Sequence, residues 1–263
     1  MPSTETIKAV IFDWAGTTID YGCQAPAAVF QQIFTERGVP VSVSQARGPM
    51  GKSKRDHIAA LFEYPDVAAR WREKYGTPPD DAAIDELYAR FLPLQKEILA
   101  RHSDVIPGIP EMTQQLRERG IRIGSTTGYT RELMSVVTPL AAAGGYAPEV
   151  LICSDDVRIG RPAPWMLLAA MERLNVYPPT SVVKVDDTPV GIEAGRNAGC
   201  WTVGIALTGN ECGLTQAEAE ALTTEEREKI LAPIRDKLFA AGAHDVLDSA
   251  AQLPKLLHKF QAG

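Results

Sequence analysis

Short apolar runs rich in β-branched residues alternate along this chain with longer segments whose apolar positions recur every three or four residues. Residues 8–12, 121–125, 150–153, 181–185 and 201–206 are apolar at most positions, the pattern of strands covered on both faces. Residues 244–247 form a weaker sixth candidate. Helical patterns fill the intervals at 109–119, 131–142, 164–174 and 189–198, with a long charged one near 216–241. This alternation predicts an α/β fold, a doubly wound parallel sheet. Ligands of such sheets bind at the carboxyl ends of the strands, beside the switch point in strand order.

One interval breaks the alternation. Between residues 21 and 102 there is no convincing strand, only helical patterns at 25–37, 54–62, 67–75 and 81–100, separated by turn-formers such as Gly48-Pro49, Gly76 and Pro78-Pro79. An all-helical insertion after the first strand predicts a second, smaller domain at 21–102. The α/β core is then made of 1–20 and 103–263, with Pro107-Gly108 marking the return to the sheet.

Composition narrows the classes of function. The 263 residues are 45% hydrophobic and 23% charged, which excludes collagen-like and disordered chains. The balance of 27 basic against 33 acidic residues, net −6, argues against nucleic acid or an anionic membrane as partner. The apolar run 9–12 is too short for a signal peptide, and no segment approaches a membrane span. Cys23, Cys153, Cys200 and Cys212 show no CxxC or zinc-like spacing, as expected of reduced thiols in a cytoplasmic protein. Trp71, Trp165 and Trp201 read as core or interface residues, and His102 and His244 as surface ones.

The strand ends carry the candidate chemistry. The first ends in Asp13-Trp14-Ala15-Gly16-Thr17-Thr18 and the second in Thr126-Thr127-Gly128-Tyr129, whose hydroxyls and backbone N–H groups suit an oxyanion. Gly160-Arg161-Pro162 supplies an arginine fork matched to phosphate. Asp186-Asp187-Thr188-Pro189 puts two adjacent carboxylates at a buried strand end, which makes most sense with a divalent cation. Thr188-Pro189 is also suited to cap and start a helix. Each fragment has a plainer reading as a turn aspartate, a helix cap or a surface arginine.

Their order along the chain resembles the haloacid dehalogenase superfamily. That resemblance implies an aspartate nucleophile at Asp13, phosphate clamps, a magnesium site, and the helical insertion as a cap domain. Phosphatases of the superfamily carry a second aspartate two positions after the nucleophile, to protonate the departing alkoxide; here that position is Ala15. Losing such an acid costs an ester hydrolase about 10²–10⁴-fold. A leaving group on carbon escapes the requirement if a lysine first condenses with a neighbouring aldehyde, so that carbon departs as an enamine.

The segment Met50-Gly51-Lys52-Ser53-Lys54-Arg55-Asp56-His57 offers that lysine. Ser53 and Asp56 predict a helix starting near Lys54. The helix dipole, Lys52 and Arg55, and desolvation by Met50 would all favour the neutral amine. His57, three residues on, shares its face and could shuttle protons. The plainer reading is a solvated basic helix start.

Together, the Asp13–Thr18 run, the Pro49–His57 segment, Thr127-Gly128-Tyr129 and Gly160-Arg161-Pro162 are similar to the phosphonatase (phosphonoacetaldehyde hydrolase) family, over nearly the whole chain. The resemblance implies Asp13 as nucleophile, Lys54 as Schiff-base lysine, and Mg²⁺ held by Asp13, the Ala15 carbonyl and Asp187. It implies contacts to the phosphonate from Thr127, Gly128 and Arg161, with Cys23, Met50, His57 and Tyr129 around the aldehyde. It also implies a homodimer through the caps. One departure is Gly191, where some members have a further acidic residue four positions after the metal aspartate; Asp186 is a substitute. Gly191, Gly195 and Gly199 read as close-packing positions. The expected activity is hydrolysis of the C–P bond of phosphonoacetaldehyde. The alternatives are a magnesium-dependent phosphatase or phosphomutase of the same superfamily, and a non-catalytic phosphometabolite sensor.

Overall fold

Residues 7–260 are described by a computed structural model. Residues 1–6, which precede the apolar run weighed above as a leader, and 261–263 lie outside them. The chain enters the interior at once through β1 (Ala9–Phe12), buried at every position. Helices α1 (Gln24–Glu36), α2 (Val43–Arg47), α3 (Lys54–Phe62), α4 (Pro65–Tyr75) and α5 (Asp81–Leu99) follow without an intervening strand. Alternation then resumes with α6 (Ile109–Glu118), β2 (Arg122–Thr126), α7 (Arg131–Ala143), β3 (Val150–Ile152), α8 (Trp165–Leu174), β4 (Val182–Asp186), α9 (Pro189–Asn197) and β5 (Trp201–Ile205). It closes with α10 (Gln216–Ala221), α11 (Thr224–Ala240) and β6 (Asp245–Leu247).

The six strands among the described residues form one all-parallel sheet in the order β3-β2-β1-β4-β5-β6. The order turns back on itself between β1 and β4, so the switch point lies at their carboxyl ends. Phe12 pairs with Ser125 on one side and Val185 on the other. The next residue on each strand is therefore Asp13, Thr126 and Asp186, side by side at the sheet edge.

Each face of the sheet has its own apolar layer. Val10, Phe12, Ile123, Val183 and Val203 pack with Met112, Leu116, Leu133 and Val137, while Ala9, Ile11 and Val182 pack with Leu167, Ala170, Leu174 and Ala194. The helices between β1 and α6 bury a separate cluster of Phe30, Ile33, Phe34, Ile58, Leu61, Trp71, Leu87 and Phe91. The two chain segments joining that cluster to the sheet run together: Ile19 bridges Val105, and the Asp20 N–H donates to the Asp104 carbonyl at 3.1 Å.

Four details differ from the sequence pattern. The expected helix at 216–241 is two helices, because Leu222 is extended and Thr223 caps α11, accepting from the Glu226 N–H while Glu226 accepts from Thr223. Five residues at α2 form a helix that the periodicity missed, started by a Ser42–Gln45 capping box. Trp165, read as a core or interface residue, is 51% exposed and so lies outside the core. His102 and His244 are only partly exposed and both have partners: His102 lies 3.6 Å from Asp20, and His244 packs edge-on against Trp201. No helix among the described residues is long and apolar enough to cross a membrane.

Candidate active site

The sheet edge assembles the first half of the site. The Arg161 Nη2 donates to Asp13 Oδ1 at 2.5 Å and to both the carbonyl and hydroxyl oxygens of Thr126 at 2.9 Å. Its Nη1 lies 3.3 Å from Asp186 Oδ2. Asp186 is also 2.9 Å from the Lys184 ammonium, which donates to the Thr126 hydroxyl at 3.1 Å. Burial pushes the Asp13 carboxyl up, against the pull of Arg161. Burial acts the same way on Asp186, but Arg161 and Lys184 outweigh it and hold that carboxylate below its usual range.

Asp187 turns the other way. Its Oδ1 accepts from the Thr17 hydroxyl at 3.0 Å and its Oδ2 from the Asn210 N–H at 2.8 Å. Burial first, then the charges of Asp13 and Asp186, push its carboxyl well above the ordinary range. Oxygens of Asp13, Asp186 and Asp187 all lie within 4.8 Å of one another, and all three residues are buried. Clustered, buried, hard oxygen donors whose mutual repulsion disfavours ionisation are the environment that a divalent cation relieves. The donor set therefore fits a divalent metal.

The second half comes from the helical insertion. Ser53 caps α3 by accepting from the Asp56 N–H at 3.2 Å, so Lys54 occupies the first helical position. The preceding loop lies against the sheet edge so closely that a Cβ at Gly128 would fall 2.6 Å from the Lys52 carbonyl oxygen. This brings Met50, Gly51 and Lys54 into one cavity with Asp13, Ala15, Cys23, Pro26, Thr127, Gly128, Tyr129, Arg161 and Thr188. The space is small, about 310 Å³ unfilled by atoms.

Lys54 is only 4% exposed. Its ammonium faces the Tyr129 ring at 4.7 Å and the Phe30 ring at 5.7 Å. Burial lowers its pKa to about 8; Cys23 and Asp13 oppose the shift and Arg161 assists it. The electrostatic neighbour is thus Arg161 rather than Arg55, which pairs with Asp81 and Asp85 on α5. The Cys23 thiol and Tyr129 phenol are pushed well up by burial and neighbouring carboxylates, so both stay protonated.

His57 lies next to Lys54 but does not line the cavity. Its ring stacks on Phe30 at 3.7 Å, and Nε2 donates to the Ala46 carbonyl at 2.9 Å. That bond fixes the tautomer and leaves Nδ1 buried with a bare lone pair. Burial and the Lys54 charge hold the ring neutral.

Several participants were not singled out from the sequence. Lys184, Thr17 and Asn210 support the carboxylates as described. Arg47, at the end of α2, reaches across to the sheet-edge loops: Nη1 donates to the Gly22 carbonyl at 2.8 Å and to the carbonyl and side-chain oxygens of Asn210 at 3.1 and 3.2 Å. Asn210 Nδ2 returns a bond to the Arg47 carbonyl at 3.1 Å. The residue that binds Asp187 is therefore itself held by the helical insertion.

Comparison with known proteins places these features. Residues 7–199 match the family of haloacid dehalogenase-like hydrolases. The chain is 46% identical over 256 residues to the phosphonoacetaldehyde hydrolase of Paraburkholderia xenovorans, covering 97% of this chain and 96% of that one. It is 45% identical over 255 residues to the phosphonoacetaldehyde hydrolase of Bacillus cytotoxicus, covering 97% of each. Among solved structures, a phosphonoacetaldehyde hydrolase like protein from Oleispira antarctica superposes with a TM-score of 0.96 at 37% identity, over 98% of this chain and 94% of that one.

Proposed function

Because the chain belongs to the phosphonoacetaldehyde hydrolase family, within the haloacid dehalogenase-like hydrolases, we propose that it hydrolyses the C–P bond of phosphonoacetaldehyde to acetaldehyde and phosphate. The observation that carries this reading is one cavity holding both a buried amine of lowered pKa, Lys54, and a carboxylate, Asp13, with Ala15 where an ester hydrolase needs an acid.

In the proposed mechanism, residues 21–102 act as a cap over the core, and Arg161, Thr127 and the Gly128 N–H orient the phosphonate beside Asp13. Neutral Lys54 adds to the aldehyde and loses water to give an iminium. The bare Nδ1 of His57, one turn along the helix, takes the proton that the Lys54 ammonium sheds and returns it to the carbinolamine hydroxyl, which leaves as water. Asp13 then attacks phosphorus; the C–P electron pair moves into the iminium, leaving an enamine on Lys54 and a phosphoryl group on Asp13. Water hydrolyses the aspartyl-phosphate. The enamine takes a proton at carbon, and a second water releases acetaldehyde and restores the amine. Cys23, Met50 and Tyr129 wall the aldehyde end and exclude bulk water, which preserves the neutral amine.

We assign Mg²⁺ to Asp13, Asp187 and the Ala15 carbonyl; when bound it would offset the charge of the phosphonate oxygens facing Asp13. The reading extends to a cytoplasmic homodimer joined through the caps, an extension supported by the resemblance alone.

Incubation with phosphonoacetaldehyde and borohydride tests the proposal. Reduction should inactivate the enzyme and leave an N-ethyl group on the Lys54 peptide by mass spectrometry. An adduct elsewhere, or full activity in Lys54→Arg, overturns the imine route.

A further inference from the structure

Gly191 faces the end of β4 from the first turn of α9. A Cβ built there would lie 2.0 Å from Asp186 Cγ and 2.1 and 2.2 Å from its two oxygens. No Cβ tolerates such distances, so the Asp186 carboxylate fills the volume in which a side chain at 191 would begin. Its orientation exists because residue 191 has no side chain.

In that orientation its two oxygens have separate tasks. Oδ1 accepts from the Thr188 N–H at 3.0 Å and the Thr188 hydroxyl at 2.7 Å, which locks the carboxylate to the helix start. Oδ2 lies between two buried cations, 2.9 Å from Lys184 Nζ and 3.3 Å from Arg161 Nη1. Arg161 Nη1 has no hydrogen-bond partner, so its hold on that side is this ionic contact. Without the intervening charge, Arg161 and Lys184, which both bond Thr126, would repel across a low-dielectric interior.

We propose that Asp186 is a positioning residue: through Lys184 and Arg161 Nη1 it sets the guanidinium so that Nη2 faces Asp13 and the phosphonate, and Gly191 is the vacancy that lets it do so. The inference rests on the reading of Arg161 as a phosphonate contact. It also separates two adjacent acids, Asp187 serving the metal and Asp186 the arginine.

The test measures binding of inorganic phosphate by calorimetry, with KM and kcat beside it, in the full-length protein. Asp186→Gly should weaken phosphate at least about tenfold, the effect of one charge-assisted contact, and raise KM more than it lowers kcat. Arg161→Ala should lose as much or more, and the two losses should not add in the double variant. Adding Gly191→Asp to Asp186→Gly returns a carboxylate to the shared volume and should recover most of the affinity. If Asp186→Gly does not fold, Asp186→Asn removes the charge alone and is read the same way. Wild-type phosphate affinity in the Asp186 variant, fully additive losses, or no recovery on adding Gly191→Asp overturns the proposal. Wild-type affinity in Arg161→Ala instead overturns the assignment of Arg161 beneath it.

Discussion

On the proposed reading of residues 21–102 as a cap, replacing Gly128 by alanine isolates the contribution of cap seating. The new methyl would meet the Lys52 carbonyl oxygen at 2.6 Å and that of Gly51 at 3.3 Å, where ordinary contact begins at 3.4 Å. Both neighbours are backbone, so the loop must recede by about 3.4 − 2.6 = 0.8 Å. Overpacking of this kind costs about 1–3 kcal/mol. The cost falls on the closed arrangement alone, lowering its population about 5- to 150-fold. The alanine keeps the N–H at 128 and leaves Asp13, Arg161 and Asp187 untouched. Phosphate affinity and Tm should therefore change little, while kcat/KM and the rate of borohydride trapping fall within that range. A cap held away also readmits water to Lys54, so its titration should move from about 8 back toward 10.5. A variant with wild-type kcat/KM and an unmoved pH limb would refute the argument that cap contact at Gly128 controls the amine.

Three further outcomes are expected. Since burial lowers Lys54 to about 8, about a tenth of it is neutral at pH 7, against less than a thousandth for an ordinary lysine; kcat/KM should climb with pH toward 8 and level off above it, and a profile flat from 6 to 9 would contradict this. Arg47→Ala should raise KM, reduce kcat/KM about tenfold and weaken divalent-ion binding, with faster hydrogen exchange at 209–213, because it frees the Asn210 loop that bonds Asp187. Thr223→Ala should cost about 1 kcal/mol through loss of the α11 cap, lowering Tm by about 2–4 °C with unchanged kinetics; altered kinetics would mean that α11 reaches the site.

The sheet was legible because strands buried on both faces need apolar residues at nearly every position, and chemistry there is confined to the residue just beyond. Asp13, Thr127 and Asp187 were singled out that way, and the structure brings Asp13 and Thr127 to one cavity and Asp187 within 4.8 Å of Asp13. Lys184 carried a signal that went unread: a lysine inside an otherwise apolar strand needs a counter-charge, and the two-residue period puts Asp186 on its face. The break at 222–223 was also written locally, since Thr215–Glu218 and Thr223–Glu226 are two separate capping boxes, but the continuous charge pattern concealed it. Arg47 had no such mark. Its partners are mostly backbone carbonyls up to 166 residues away, and nothing in an arginine's neighbours announces them. Gly191 looked like a packing glycine, which it is, though what packs there is a carboxylate rather than a helix.

Phe12 pairs with Ser125 and Val185 in a ladder of backbone hydrogen bonds, and that pairing works as a ruler for the chemistry beyond it. Each rung is worth about 3.3 Å, so a slip of one position would carry Asp13 clear of Arg161 and turn it to the opposite side. The position of Asp13, the proposed nucleophile, is thus set by the central strands of the sheet and not by the helices between β1 and α6.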